Sequence, residues 1–514
     1  MTNGFSRRRL LQQGGLAAAA CAIDPLLAFA LQPNSNTVVN APCGSLQGEL
    51  VNGVRVFRGV PFAQPPVGPL RFKPPAPTAP WSGVREATVF AASAMQHLAA
   101  GTTLSVSEDC LYLNIWAPSG KGPFPVYVFI HGGSYSGGSA TNPGFDGTVF
   151  ARDGIVFVTV AYRLGVFGFT DLEPLLGKGY ASSANNGIRD LVASLEWVNA
   201  NIAAFGGDPS RVTIGGQSAG AKAVATLLAV PQANTLFRSG ISESGGGERA
   251  FTKAEAAAVG EVFGEVWRKQ QGAMESLRTA PAEAIVAAQD SFTAKLPYRA
   301  PFRPQIGADF LPARPVDVVA ARSCKGRRLL IGTNRDEGAS FIGPHPDVDP
   351  TSKNLSVMDG KRFAAVLAGY KTVYPEMSDA ERRVLAYTAA EWMVHSVRFA
   401  NAFTASGGDA WMYLVDYTEP SGRMAGEAFH GIEVPLVWER MDAGQKQDLT
   451  AAPLPREFHQ AWVSFIKGNP PAAEGLPPWP RYDARTRSTM ILDAQSKVEQ
   501  RPEEAELRLW DGIF

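Results

Sequence analysis

The sequence predicts an α/β protein in which a mostly parallel central sheet is flanked by helices. Three observations predict it. Short runs rich in β-branched and aromatic residues recur and end at glycines or turn formers, as in "PVYVFIHGG" (125–133) and "GIVFVTVAYR" (154–163). The runs are almost continuously apolar, the pattern of strands covered on both faces. Helical patterns separate them, so the order strand, helix, strand points to a doubly wound core.

Taken in order, the chain opens on a segment unlike the rest. "SRRRLLQQGGLAAAACAIDPLLAFA" sets Arg7, Arg8 and Arg9 before an apolar stretch that closes on Ala28-Phe29-Ala30. Residues 1–30 resemble a twin-arginine export signal, so a periplasmic or secreted protein is expected. Asp24-Pro25 interrupts the stretch well short of the roughly 20 residues that span a bilayer, and no later run is long enough. The mature chain is therefore expected to carry no membrane span, and residues 31–514 are expected to form one domain. The Pro-dense stretch 61–80 reads as an ordered surface loop. Ile188, Leu191, Val192, Leu195, Val198 and Ile202 fall at helical spacing, and Gly206-Gly207 and then Pro209 stop that helix. "VTIGG" (212–216) is a strand and "SAGAKAVATLLAV" after it a helix. "RSGISESGG" (238–246), "RRLLIGTN" (327–334) and "AWMYLVDY" (410–417) continue the strands. Ala- and Glu-rich stretches around 250–325 and 358–405 read as helical insertions over the sheet.

The 514 residues carry 48 basic and 48 acidic side chains. That balance argues against nucleic acid or an anionic membrane as the main partner. Besides Cys21 in the signal, the cysteines are Cys43, Cys110 and Cys324. An odd number without CxxC spacing is neither a disulfide scaffold nor a zinc site, although one pair is open. A twin-arginine substrate folds before export in a reducing cytoplasm, so its fold should not depend on a disulfide.

"GQSAG" (216–220) joins the strand to the helix and matches the nucleophile elbow G-x-S-x-G. Side chains two residues before and after Ser218 would clash in so sharp a turn, hence Gly216 and Gly220. The turn exposes Ser218 at a helix N-terminus, which favours developing negative charge. A serine hydroxyl needs a general base. Of six histidines, His131 heads a glycine turn, His97 and His345 lie in loop-like sequence, and His395 and His459 in helical patterns. His430 alone follows a late strand. The chain order Ser, acid, His places the acid between 218 and 430, and "LLIGTNRDEGASF" offers Asp336 and Glu337, between which spacing does not choose. The turn "FIHGGSYSGG" can present backbone N–H groups to an oxyanion, together with the N–H of Ala219. It lacks the Lys-Ser/Thr ending of a phosphate-binding loop.

At this point the chain resembles the type-B carboxylesterase family from about residue 38 onward. "FGGDPSRVTIGGQSAG" is similar to its serine signature and "EDCLYLNIWAP" (108–118) to its second signature; "FRGVPFAQPPVGPLRF", "AYRLGVFGF", "NNGIRDL" and "DEGASF" follow in the family's order. The resemblance implies an α/β-hydrolase fold with Glu337 as the acid and His430 of "HGIE" as the base. It implies Gly133, Ser134 and Ala219 as oxyanion donors, with Gly132 shaping the turn. Gln217, Glu243 and Glu433 stand around the triad. Arg71 with Glu108, and Arg163 with Asp190, fall where the family places structural ion pairs. No cofactor or metal is implied.

Four departures matter. The family usually has Glu where Gln217 stands, and Gln where Glu243 stands. An acid and an amide look exchanged, which keeps one buried carboxylate near His430 if the two positions adjoin. Cys110 matches the signature cysteine, but its upstream partner position falls at about Met95. The loop 96–107 has no Trp, which speaks against choline esters. The expected activity is hydrolysis of a small carboxylic ester through an acyl-enzyme on Ser218. Two other readings stand beside it: a catalytically silent relative, and a triad enzyme acting on an amide, lactone or carbamate. Phe302, Phe341 and Tyr370 are candidates for pocket wall as well as for core. Oligomeric state is left open.

Overall fold

A computed structural model of the chain describes residues 37–307, 309–441 and 453–514. Residues 1–30, expected to be an export signal and containing Cys21, lie outside the described residues. Eleven strands form the main sheet: β1 (Glu49–Val51), β2 (Val54–Pro61), β3 (Tyr112–Ala117), β4 (Phe124–Ile130), β5 (Val156–Val160), β6 (Gly207–Gln217), β7 (Ser239–Glu243), β8 (Arg328–Asn334), β9 (Asp409–Val415), β10 (Thr489–Leu492) and β11 (Lys497–Glu499). Their spatial order is β11-β10-β9-β8-β7-β6-β4-β5-β3-β2-β1. The run from β10 to β5 is parallel throughout, and both edges are antiparallel. This is the α/β-hydrolase architecture.

The near-continuous apolar strands are explained by cover on both faces. Val126, Val128 and Ile130 of β4 pack with Val156, Val158 and Val160 of β5 against helix α1 (Asn186–Asn201) and helix α2 (Ala219–Ala229). The alternate residues Tyr127, Phe129 and Phe157 turn to the other face, toward Phe458 and Trp462 of helix α3 (Leu454–Ile466). The antiparallel strands β1 to β3 were not in the sequence reading. Asn52-Gly53, both with positive φ (50° and 79°), supplies the hairpin turn that joins β1 to β2.

Helices Lys253–Gln271, Ala282–Thr293 and Pro315–Ala321 occupy the first predicted insertion; Gly360–Val373, Asp379–Thr388 and Val394–Ala405 occupy the second. The last two are joined by a π-helical turn, Ala389–Met393. Two of the starts are capping boxes, Thr252 with Glu255 and Ser378 with Glu381. Among the described residues no helix is long and apolar enough to cross a membrane. Cys43, Cys110 and Cys324 are buried free thiols.

The chain leaves β4 for β5 on one side and returns to β6 on the other. Loops after β4 and β6 therefore meet at the carboxyl ends of neighbouring strands, where an open α/β sheet places its ligands.

Candidate active site

Ser218 sits at the end of β6 with φ 58° and ψ −120°, a conformation that costs a non-glycine residue free energy and persists only when neighbours enforce it. Its N–H donates to Glu243 O (2.9 Å) and its carbonyl accepts from Lys222 N (3.0 Å), so strand and helix clamp the turn. The glycines around it are steric necessities. A Cβ on Gly220 would lie 2.0 Å from Ile130 O, and one on Gly216 would lie 2.6 Å from the Gly220 carbonyl carbon.

His430 follows β9 in a loop, as expected. Its Nδ1 hydrogen-bonds the Glu337 carboxylate. Glu337 is fully buried, and its Oε1 accepts from Asn334 N at 2.9 Å. Asp336 instead pairs with Arg335 (2.8 Å) and accepts from Ala428 N (2.9 Å), so contact geometry separates the two candidates. With Nδ1 committed to Glu337, the ring's other nitrogen is the one left to face the site. The imidazole is packed by Phe341 and Trp392, with ring centroids 5.1 and 5.2 Å away.

His430 Nε2 is not hydrogen-bonded to Ser218 Oγ. Its partner is the Gln217 side-chain amide, at 3.2 Å. An acceptor nitrogen on the ring pairs with the amide N–H₂ as donor. Such resting arrangements are common before substrate arrives and tighten on binding. Gln217 and Glu243 are direct register partners on β6 and β7, but their side chains part. Glu243 turns inward and accepts from Trp462 Nε1 at 2.8 Å. Burial pushes its carboxyl up to about 8. Glu433 accepts from Asn334 Nδ2 at 2.6 Å, and burial followed by the charges of Glu337 and Glu243 raises its carboxyl well above the usual range. Burial therefore favours the protonated form of both Glu243 and Glu433 near Glu337.

The glycine turn after β4 runs Gly133, Ser134, Tyr135 with φ of 112°, 55° and 59°, three consecutive positive values. A Cβ on Gly132 would meet Gln217 O at 2.8 Å and Ser218 Cβ at 3.0 Å, so the turn lies directly against the elbow. The N–H groups of Gly133 and Ser134 have no partner among the described residues. Ala219 opens helix α2, where an N–H has no intrahelical acceptor. His131 is held out of the chemistry: burial lowers it to about 4, Nδ1 bonds Gly132 O at 2.8 Å, and its ring stacks on Tyr162.

The ion pairs tie loops to the scaffold. Arg163 meets Asp190 twice, at 2.8 and 2.7 Å, and donates to Lys73 O at 2.7 Å. Arg71 pairs with Glu108 (2.8 Å through Nε) and reaches Ala280 O at 2.7 Å, joining the Pro-rich loop to the first insertion. Of the aromatic candidates, Phe341 lies at the site. Phe302 packs on Phe292, and the Tyr370 hydroxyl donates to Glu506 (2.7 Å); both are buried core residues. His395 is a buried helix residue bonded to Ala390 O, and His459 bonds Val437 O and Asp153. Trp392, Arg299 and Asn334 were missed. Trp392 faces His430 from the π-helical turn, which has no sequence signature.

The model of the carboxylesterase family matches residues 35–510. The para-nitrobenzyl esterase of Bacillus subtilis (strain 168) is 35% identical over 487 residues, covering 91% of this chain and 97% of that one. A fumonisin B1 esterase of Sphingopyxis macrogoltabida is 33% identical over 466 residues, covering 86% and 84%. Among solved structures, a PNB esterase superposes with a TM-score of 0.80 at 34% identity, over 92% of this chain and 99% of that one. The Geobacillus stearothermophilus carboxylesterase EST55 does so with a TM-score of 0.80, also at 34% identity, over 92% and 100%. With its elbow, its sheet order and these relatives in agreement, the chain belongs to the carboxylesterase family and is a carboxylic-ester hydrolase.

Proposed function

We propose that Ser218 is the nucleophile, His430 the general base and Glu337 the group that fixes its tautomer. The observation that carries this reading is the Glu337–His430 hydrogen bond beside a serine held at positive φ. Substrate entry displaces the Gln217 amide from Nε2, and His430 then takes the Ser218 proton as Oγ attacks the ester carbonyl. The N–H groups of Gly133, Ser134 and Ala219 receive the oxyanion. His430 returns the proton to the leaving alcohol. Water repeats the sequence on the acyl-enzyme and releases the acid. Burial favours the protonated forms of Glu243 and Glu433, so neither competes with Glu337 for the imidazolium. The substrate is a small-molecule ester, and the aromatic wall of Phe341 and Trp392 supports an apolar group next to the reacting carbonyl.

A serine-directed fluorophosphonate followed by peptide mapping tests the assignment. Label on Ser218, and a loss of p-nitrophenyl ester hydrolysis of about 10⁴-fold or more in Ser218→Ala, are expected. Label on another residue, or near-normal turnover in the variant, contradicts it. The N-terminal Arg7-Arg8 pattern supports export through a twin-arginine route. Activity that reaches the periplasm equally well in an Arg7→Lys, Arg8→Lys chain excludes that route.

A further inference from the structure

A cavity of about 400 Å³ has three arginines, Arg303, Arg314 and Arg398, and three carboxylates, Glu248, Glu255 and Asp359, in its lining. It is built from both helical insertions, and its lining includes Arg303, Arg398, Arg314, Phe251, Tyr298 and Phe514. Beside it three cations, Lys222, Arg249 and Arg299, share two buried carboxylates. Glu248 takes Lys222 (2.6 Å) and Arg249 (3.4 Å); Glu391 takes Arg249 (2.6 Å) and Arg299 (3.3 Å). Against burial, these cations hold both carboxyls at about 2, so neither is a proton reservoir that could restore balance. Arg303 forms no ion pair among the described residues, although the charges of Glu391 and Glu248 act on it from farther away. It is 8% exposed, its Nε donates to Ala300 O (3.1 Å) and its Nη2 to Ser356 O, while Nη1 has no partner among the described residues. Its guanidinium lies 4.5 Å over Phe251 and 5.4 Å from the Tyr298 ring. Burial, then Arg249, lower it to about 10, and it remains charged at neutral pH.

Arg398 and Arg314, also in the lining, form no ion pair among the described residues. Of the lining carboxylates, Glu248 is engaged by Lys222 and Arg249, and Glu255 and Asp359 are exposed and engaged elsewhere. Glu255 closes a capping box with Thr252, and Asp359 caps helix Gly360–Val373. A buried cation without a counter-ion is costly, and an anionic ligand lifts that cost. The volume suits a small molecule, and the aromatic walls suit an apolar body behind the charged head.

We propose that this cavity binds the carboxylate of a small organic acid, with Arg303 as the principal contact and Arg398 as the second guanidinium. Two sources share this chemistry: a carboxylate carried by an ester or its released acid, and a separate carboxylate metabolite. The route to the catalytic histidine is short. Arg303 bonds Ser356, whose N–H donates to Glu391 (2.8 Å); Glu391 precedes Trp392, and Arg299 stacks 4.2 Å over Phe341. Phe341 and Trp392 are the two rings on His430.

Calorimetric titration of the full chain with benzoate, and with benzamide as the uncharged counterpart, tests the proposal without relying on turnover. Saturable benzoate binding that weakens with salt is expected, with no binding of benzamide. Affinity is expected to fall about ten-fold or more in Arg303→Gln and in Arg398→Gln. Arg398 makes no hydrogen bond that its loss would break, so that variant guards against a folding defect at Arg303. Competitive inhibition of p-nitrophenyl butyrate hydrolysis by benzoate assigns the carboxylate to the substrate or product. Binding without competition assigns it to a separate ligand. No saturable binding by the natural chain, or unchanged affinity in Arg398→Gln, overturns the proposal.

Discussion

Replacing Gln217 by Glu puts a carboxylate where an amide now meets His430 Nε2 at 3.2 Å. The carboxylate attracts the imidazolium and so makes the base harder to deprotonate. Across 3.2 Å a unit charge pair is worth about 1.3 kcal/mol at the dielectric of water and about 5 kcal/mol at an effective dielectric of about 20. At about 1.4 kcal/mol per pH unit, these limits move the acid limb of the kcat/KM profile up by about one and nearly four units. The His430 side chain keeps 11% exposure and Gln217 is half-buried, so solvent reaches the pair and about one to two units is the expectation. Glu243 is held protonated by burial and turns toward Trp462, so the double variant Gln217→Glu, Glu243→Gln should show about the same shift. The assay is p-nitrophenyl acetate hydrolysis across pH, fitted for the acid limb. Acid limbs within about 0.3 units of the natural enzyme in both variants would falsify the reasoning, since a shift five times smaller than expected means that position 217 does not act electrostatically on the base.

Three further outcomes follow from the same geometry. Glu337→Gln removes the acceptor that sets the His430 tautomer, and kcat should fall by about 10⁴-fold with KM little changed, read by steady-state kinetics. Glu243 carries a folded-state value of about 8 against an ordinary 4.5, so the folded protein holds a proton that the unfolded chain releases. That contribution is harmless below pH 4.5 and costs stability progressively as pH rises toward 8; Glu243→Gln should therefore raise Tm at pH 8 and flatten its decline between those limits, by thermal scans at matched ionic strength. Asp190→Asn leaves Arg163 buried without its partner and should cost about 3–5 kcal/mol in denaturant unfolding, with activity per folded molecule largely kept.

Much of the site's frame was legible because it is local. Gly216 and Gly220 are dictated by atoms within the same turn or on the adjoining strand, so their spacing around Ser218 survives as a motif. The parallel strands were legible for a different reason: cover on both faces makes their sequences apolar without alternation. The antiparallel edge escaped because its best marker is one Asn-Gly pair. Phe302 and Tyr370 could not be sorted from Phe341 by composition, since all three are large aromatics and only their partners, Phe292, Glu506 and His430, differ.

The sequence by itself determined the order of strands and helices, the elbow at Ser218, and the short choice of histidines and acids. These depend on covalent neighbours and on the period of apolar residues. Spacing left Asp336 and Glu337 open and the family resemblance implied Glu337; the tertiary structure brings Glu337 to His430, 93 positions away, and it alone decided that Gln217 meets the same ring from 213 positions away. It also decided that Lys222, Arg249 and Arg299 share two carboxylates while Arg303 pairs with neither. Side-chain direction and charge balance are set where distant segments converge, and no spacing along the chain encodes that convergence.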